Sequence, residues 1–364
     1  MEITNPAAVN PAKPTVAANP VSPRLNATPA QPVVQPSERV VELLAEANRF
    51  AQTATTEEQL TQVVQMCRHA LAIDNSPQAV GYSKNLAAWA LNRRGETRAD
   101  AGRDREAMLD FEDAIHTDPN SWRAVHNRGV MLAQQGQYAT AFDEFNRTIE
   151  LNPKFAKAYS NRAALYTQAG DLAAALEDYT QAIAFDPDLA VAHKGRGRVC
   201  HMLGNYEEAL QHFDAAVLLA SGDPHMALGR ADLLVDMGRF GAAIDGYRQV
   251  IQLDPTVTAA YRNLAWLQAT CPDESFRDAE QAVENAELAL RYAGKEDDLT
   301  LDTLAAAQAN SGNFAAAQAT LLRAIELAPA TARETYEHRL DLYQSGKPFR
   351  TEPVQPIRQA TYRR

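Results

Sequence analysis

The side chains of this chain that could do chemistry are scattered where catalysis would need them gathered, and regular where binding would use a stripe. Cys67, Cys200 and Cys271 lie far apart with no paired spacing, which reads as isolated buried thiols and not as a redox pair or metal cluster. The histidines form no His-Glu-x-x-His or carboxylate–histidine grouping, and His193 and His201 are two helical turns apart, too far to share a zinc ion. Gly195-Arg196-Gly197 has no strand before it and is not a phosphate loop. These patterns predict a chain that is not an enzyme and carries no metal or cofactor. The arginines behave differently: Arg94, Arg128, Arg162, Arg196 and Arg230 recur every 34 residues. Such a stripe is either a binding surface or an internal ion-pair ladder. Asp110, Glu144 and Asp178, each 16 residues later, favour the ladder, because a guanidinium taken out of water needs a partner. His212 and Gly246 break that pairing and leave Arg196 and Arg230 freer.

The elements that carry these residues follow from the same period. Seven units start at Ala88, Trp122, Ala156, Ala190, Pro224, Thr258 and Asp298. Small residues return at the eighth place (Gly95, Gly129, Ala163, Gly197, Ala231) and the twentieth (Ala107, Ala141, Ala175, Ala209, Ala243). Glycine fills the fifteenth place at 102, 136, 170, 204 and 238, and an aromatic the twenty-fourth: Phe111, Phe145, Tyr179, Phe213, Tyr247. Pro119, Pro153, Pro187 and Pro255 close units. The small residues allow two antiparallel helices to approach, the glycine ends the first helix, and the proline ends the second. This pattern resembles the tetratricopeptide repeat family over residues 88–331. The resemblance implies an all-α, right-handed superhelical solenoid whose units gain stability by stacking on their neighbours. Ser221 replaces one closing proline, and the unit from Thr258 carries a six-residue insertion at 271–276. The run Leu264-Ala265-Trp266-Leu267 with Thr270-Cys271-Pro272-Asp273 resembles the C-terminal repeats of certain bacterial members of that family.

In this family, places two, five, six, nine, twelve and thirteen of the first helix line a concave face. The resemblance therefore puts Arg123, His126, Asn127, Lys157, Asn161, Lys194, Arg198 and His201 in a groove without acidic residues. Amides can hold an extended peptide backbone, while lysine and arginine recognise carboxylates, so an acidic peptide or a C-terminal carboxylate is the expected ligand. The Asn127-Arg128 and Asn161-Arg162 pairs resemble the asparagine of the family's carboxylate clamp, but Asn92 and Glu96 stand where that clamp needs lysine and asparagine. Further along, the face turns acidic at Asp232 and Asp236 and then apolar at Trp266, which either anchors a ligand or packs under the insertion.

The flanking segments read differently. Residues 1–36 hold eight of the nineteen prolines and almost no charge, a composition expected of a disordered leader. Residues 37–87 read as a degenerate helical cap with a Thr56–Gln59 capping box, 332–346 as a capping helix and 347–364 as a basic disordered tail. The net charge is −11, and with the leader at +1 and the tail from Gly346 at +4 the repeats carry about −16, which argues against nucleic acid. No long apolar run or signal sequence is visible, so no membrane span and a cytoplasmic location are expected, or an exported one if the true start lies upstream. The function predicted is a co-chaperone-like adaptor binding an extended or helical peptide; the alternative is a structural subunit of a bacterial envelope or secretion complex.

Overall fold

A computed structural model describes residues 35–352. The expected leader lies outside the described residues except for Gln35 and Pro36, as does the tail beyond Glu352. The described residues hold 17 α-helices, paired in sequence, and no strand. The chain divides after Pro187 into two compact units. The N-terminal unit contains α1 (Glu38–Ala51), α2 (Glu57–Ile73), α3 (Pro77–Asp100), α4 (Asp104–Thr117), α5 (Trp122–Gln134), α6 (Tyr138–Leu151), α7 (Ala156–Ala169) and α8 (Leu172–Phe185). The C-terminal unit contains α9 (Ala190–Met202), α10 (Tyr206–Leu219), α11 (Pro224–Asp236), α12 (Phe240–Leu253), α13 (Thr258–Thr270), α14 (Ala279–Ala293), α15 (Asp298–Asn310), α16 (Phe314–Leu327) and α17 (Ala330–Gln344). Within each unit the helices form an all-α repeat solenoid. No described helix is long and apolar enough to cross a membrane.

The repeated residues explain the pairing. The turn glycines at 102, 136, 170, 204 and 238 all have φ between 70° and 83°, a region that a residue with a Cβ enters only at a cost. The twenty-fourth-place ring sits against the eighth-place residue of its own pair. A Cβ built on Gly95 would lie 2.6 Å from Phe111 Cε1, and one on Gly129 would lie 2.9 Å from Phe145 Cε1. The two helices are therefore as close as a missing side chain permits. Ahead of the regular pairs, the Thr56–Gln59 capping box forms as the sequence suggests: Gln59 N donates to Thr56 Oγ1, and Thr56 N donates to Gln59 Oε1.

At the C-terminal end, residues 347–352 do not behave as the start of a tail. Arg350 donates to the carbonyl of Ala269 and to Asn310 Oδ1, and the Thr351 N–H donates to the carbonyl of Thr270. These bonds satisfy carbonyls at the end of α13 that the helix leaves without an internal partner. The basic composition misleads here because Arg350 caps a helix end instead of facing water.

Candidate functional site: the faces of the first helices

The arginine stripe is an ion-pair ladder throughout, buried in the N-terminal unit and closer to the surface in the C-terminal one. In the N-terminal unit, Arg94 Nε donates to Asp110 Oδ2 at 3.0 Å, Arg128 Nη2 to Glu144 Oε1 at 2.6 Å, and Arg162 grips both oxygens of Asp178 at 2.7 and 2.8 Å. Asp110, Glu144 and Asp178 are all buried. The C-terminal unit corrects the expectation that Arg196 and Arg230 are freer. Arg196 takes Glu208, one helical turn before His212, and Arg230 takes Asp214 on α10. When the facing position loses its carboxylate, a neighbouring acid replaces it, because a half-buried guanidinium is costly without one.

The asparagines expected in the groove are also internal. Asn127 is 4% exposed, and its amide donates to Asn92 Oδ1 at 2.9 Å and to Glu96 Oε1 at 3.0 Å. Asn161, equally buried, lies 3.0 Å from His126 Nε2, while His126 Nδ1 lies 3.3 Å from Asn127 Oδ1. An amide donating to Nε2 leaves the proton of the neutral ring on Nδ1, facing the Asn127 carbonyl oxygen. Asn127 and Asn161 thus brace adjacent first helices and are not presented to a peptide. The sequence carried an unread signal for this ladder. Asn92 pairs with Asn127, His126 with Asn161 and, in the C-terminal unit, His201 with Asp236, each 35 residues apart. One repeat plus one residue is the register in which neighbouring first helices meet.

Burial holds His126 neutral, pushing its pKa down to about 4. A histidine whose folded pKa is depressed favours the native state above its unfolded value near 6.5, and that contribution is lost as pH falls toward 4. The expected outcome is a loss of up to roughly 3 kcal/mol across this window. His212, also pushed down to about 4, adds to it. Denaturant titrations between pH 7 and 4 on wild type and His126→Gln check the share due to His126: the variant should show a shallower decline.

The charged groove candidates take two different positions. Arg123 is exposed on α5, with its guanidinium 4.0 Å from the centroid of the Trp122 ring. Trp122 in turn packs on Phe155, ring centroids 4.6 Å apart. A pocket of about 90 Å³ opens beside Arg123, walled by Trp89, Trp122, Asn85 and Asn92. Lys157 on α7 is half-buried. In the C-terminal unit Lys194 is half-buried and Arg198 exposed, both on α9. Among the described residues, none of Arg123, Lys157 and Arg198 makes an ion pair, in contrast to the arginine ladder.

Trp266 is half-buried and does not lie under the insertion. Its ring is 4.8 Å from the Arg339 guanidinium and 5.8 Å from the Phe349 ring, so α17 and the residues after it pack against one side of it while it also lines an opening beside α15. The insertion packs elsewhere, with Phe276 against Phe240. Arg339 also pairs with Asp302, whose carboxyl is shifted upward by its own burial.

Comparisons with known proteins agree with this architecture. Residues 156–189 match the model described as tetratricopeptide repeat, and 129–170, 190–223, 225–257 and 301–331 match further tetratricopeptide repeat models. No curated protein matches the chain by sequence. Among solved structures, one in a functional characterisation of Pseudomonas aeruginosa PilF is 18% identical, with a TM-score of 0.51 over 58% of this chain and 95% of that one. A chain of the APC/C hetero-tetramer Cut9–Hcn1 is 16% identical, with a TM-score of 0.55 over 73% of this chain and 55% of that one. At these identities the likeness concerns the fold alone. With the 34-residue period, the positive-φ turn glycines, the paired helices and the matched repeats together, the chain belongs to the tetratricopeptide repeat proteins, a family of protein-interaction scaffolds.

Proposed function

We propose that this scaffold binds an extended acidic segment of a partner protein, a C-terminal carboxylate included, through the cations of its first helices. The observation that carries the reading is the state of Arg123. In a chain of net charge −11, whose ladder arginines are all matched to acids, this guanidinium makes no ion pair among the described residues and rests on an indole beside an open pocket. Burial lowers its pKa, and the nearby Glu96 carboxylate offsets this only in part, so the cation is left short of full compensation. A ligand carboxylate would supply that compensation with charge-assisted hydrogen bonds, and Trp89 and Trp122 offer apolar contact for a neighbouring side chain. Lys157 adds positive field on the same unit, enough to depress His126 further. Lys194 and Arg198 on α9 give the C-terminal unit first-helix cations of its own. The buried asparagines take no part, so recognition rests on charge and aromatic contact.

The test is fluorescence anisotropy with an acidic peptide, comparing wild type with Arg123→Glu/Lys157→Glu. The double reversal should weaken binding by about tenfold or more, and raising salt should weaken the wild type, since exposed charges are screened beyond about 8 Å at physiological ionic strength. Both side chains reach the surface, so the unfolding midpoint should shift little. Undiminished binding by the double reversal would overturn the reading.

A second reading, a structural assembly subunit held by broad contacts, draws on apolar side chains left outside. Leu218 is 81% exposed, and Leu253 and Leu327 are 40% and 52% exposed on the second helices α12 and α16. Loss of partner capture on Leu218→Glu/Leu327→Glu, with acidic-peptide binding intact, would favour it.

A further inference from the structure

The C-terminal unit holds a second open site, of different chemistry, where α13, α15 and α17 meet. Its opening is about 320 Å³, lined by Trp266 and Arg262 from α13, Leu299 and Asp302 from α15, and Tyr336 and Arg339 from α17. We infer that this pocket receives a cationic side chain, arginine in preference to lysine, from an extended basic segment of a partner protein.

Three observations carry this. Asp302 is only 5% exposed, and one of its oxygens binds Arg339 while Oδ1 has no hydrogen-bond partner among the described residues. A buried carboxylate oxygen left unmatched lowers its energy by accepting from a cationic donor. Arg339 already shows which group the surroundings suit: its guanidinium lies 4.8 Å from Trp266, 4.7 Å from Phe349 and 5.7 Å from Tyr336. A planar, weakly hydrated guanidinium stacks on such rings better than an ammonium does. The third observation is the field. Asp298 and Asp302 on α15 and Asp232 and Asp236 on α11 outnumber Arg262 and Arg339, and the first-helix face of this unit is acidic there. Asp232 is held in place by Tyr247 and Asn263, both donating to Oδ1, which leaves Oδ2 without a hydrogen bond among the described residues. Arg339 Nε also lacks a partner among the described residues, and an extended peptide carries the carbonyl acceptor that it needs beside the cation that Asp302 needs.

The site is independent of the acidic-segment reading, and the experiment keeps the two apart. With Trp89 and Trp122 changed to phenylalanine, Trp266 is the remaining tryptophan and reports on its own pocket. Short peptides centred on arginine, on lysine and on glutamate are titrated against this chain while its emission is followed. The arginine peptide should give a saturable change, about threefold tighter than the lysine peptide, and the glutamate peptide none. Asp302→Asn should weaken the arginine peptide by about tenfold. Because that change could unseat α17, Arg262→Gln gives a second arm: removing a like charge that water reaches should tighten the arginine peptide by about threefold. A response to glutamate equal to or above that to arginine, a loosening on Arg262→Gln, or no saturable change with either basic peptide overturns the inference.

Discussion

Arg162→Ala should lower stability toward denaturant by about 3–5 kcal/mol, near the lower bound because the side chain is 19% exposed and water can reach it. The cost arises from what is left behind. Asp178 is buried and accepts two hydrogen bonds from Arg162, so the alanine variant strands a carboxylate, and Asn146 loses its bond to Nη1 as well. Acidic-peptide binding measured on the folded fraction should be unchanged, because the guanidinium points into the pair and not outward. The double variant Arg162→Met/Asp178→Leu should recover much of the loss by removing both charges. A single variant as stable as wild type would mean that the ladder contributes little.

Phe145→Ala should cost about 3–5 kcal/mol by the cavity it leaves between α5 and α6. The ring is fully buried, touches the bare backbone at Gly129, and packs with Val130, Ala133, Ala141 and Leu165. Leu165 belongs to the next pair, so loss of the ring weakens an interface between neighbours as well as one pair. Urea titration followed by circular dichroism should show a lower midpoint. A transition broadened or split relative to wild type would show that the N-terminal unit no longer unfolds in one step. Gly129→Ala, which adds volume where Phe145 needs it, should destabilise by a smaller amount, about 1–3 kcal/mol.

Much of the fold was legible because each repeated residue has one local job. Gly136 must turn, Gly129 must be absent as a side chain, and Phe145 must fill the resulting gap; spacing alone reveals such roles. The Arg94, Arg128 and Arg162 pairs were legible for the same reason, since acid and base lie on two helices of one pair. The candidate site was less legible where partners come from another pair. Asn127 and Asn161 look like ligand-holding amides by place number, and only the 35-residue register shows that their donors are already committed. Trp266 was harder still. The groups packed against it, Arg339 and Phe349, lie 73 and 83 residues downstream, and no periodicity connects them to it.

The bonds from Arg350 and Thr351 to Ala269 and Thr270 also change how this end of the chain should breathe. In a linear stack the outermost helix has one neighbour and opens first, so amide exchange normally speeds up toward an end. Here the polypeptide leaves α17 and returns to the C-terminal ends of both α15 and α13, which ties the terminal helix back to two earlier ones in place of a simple row. Opening α17 then requires breaking contacts at both of its ends together. Its backbone amides should exchange deuterium on the slow timescale of interior helices, and removal of residues 347–364 should return them to the fast exchange of a free end.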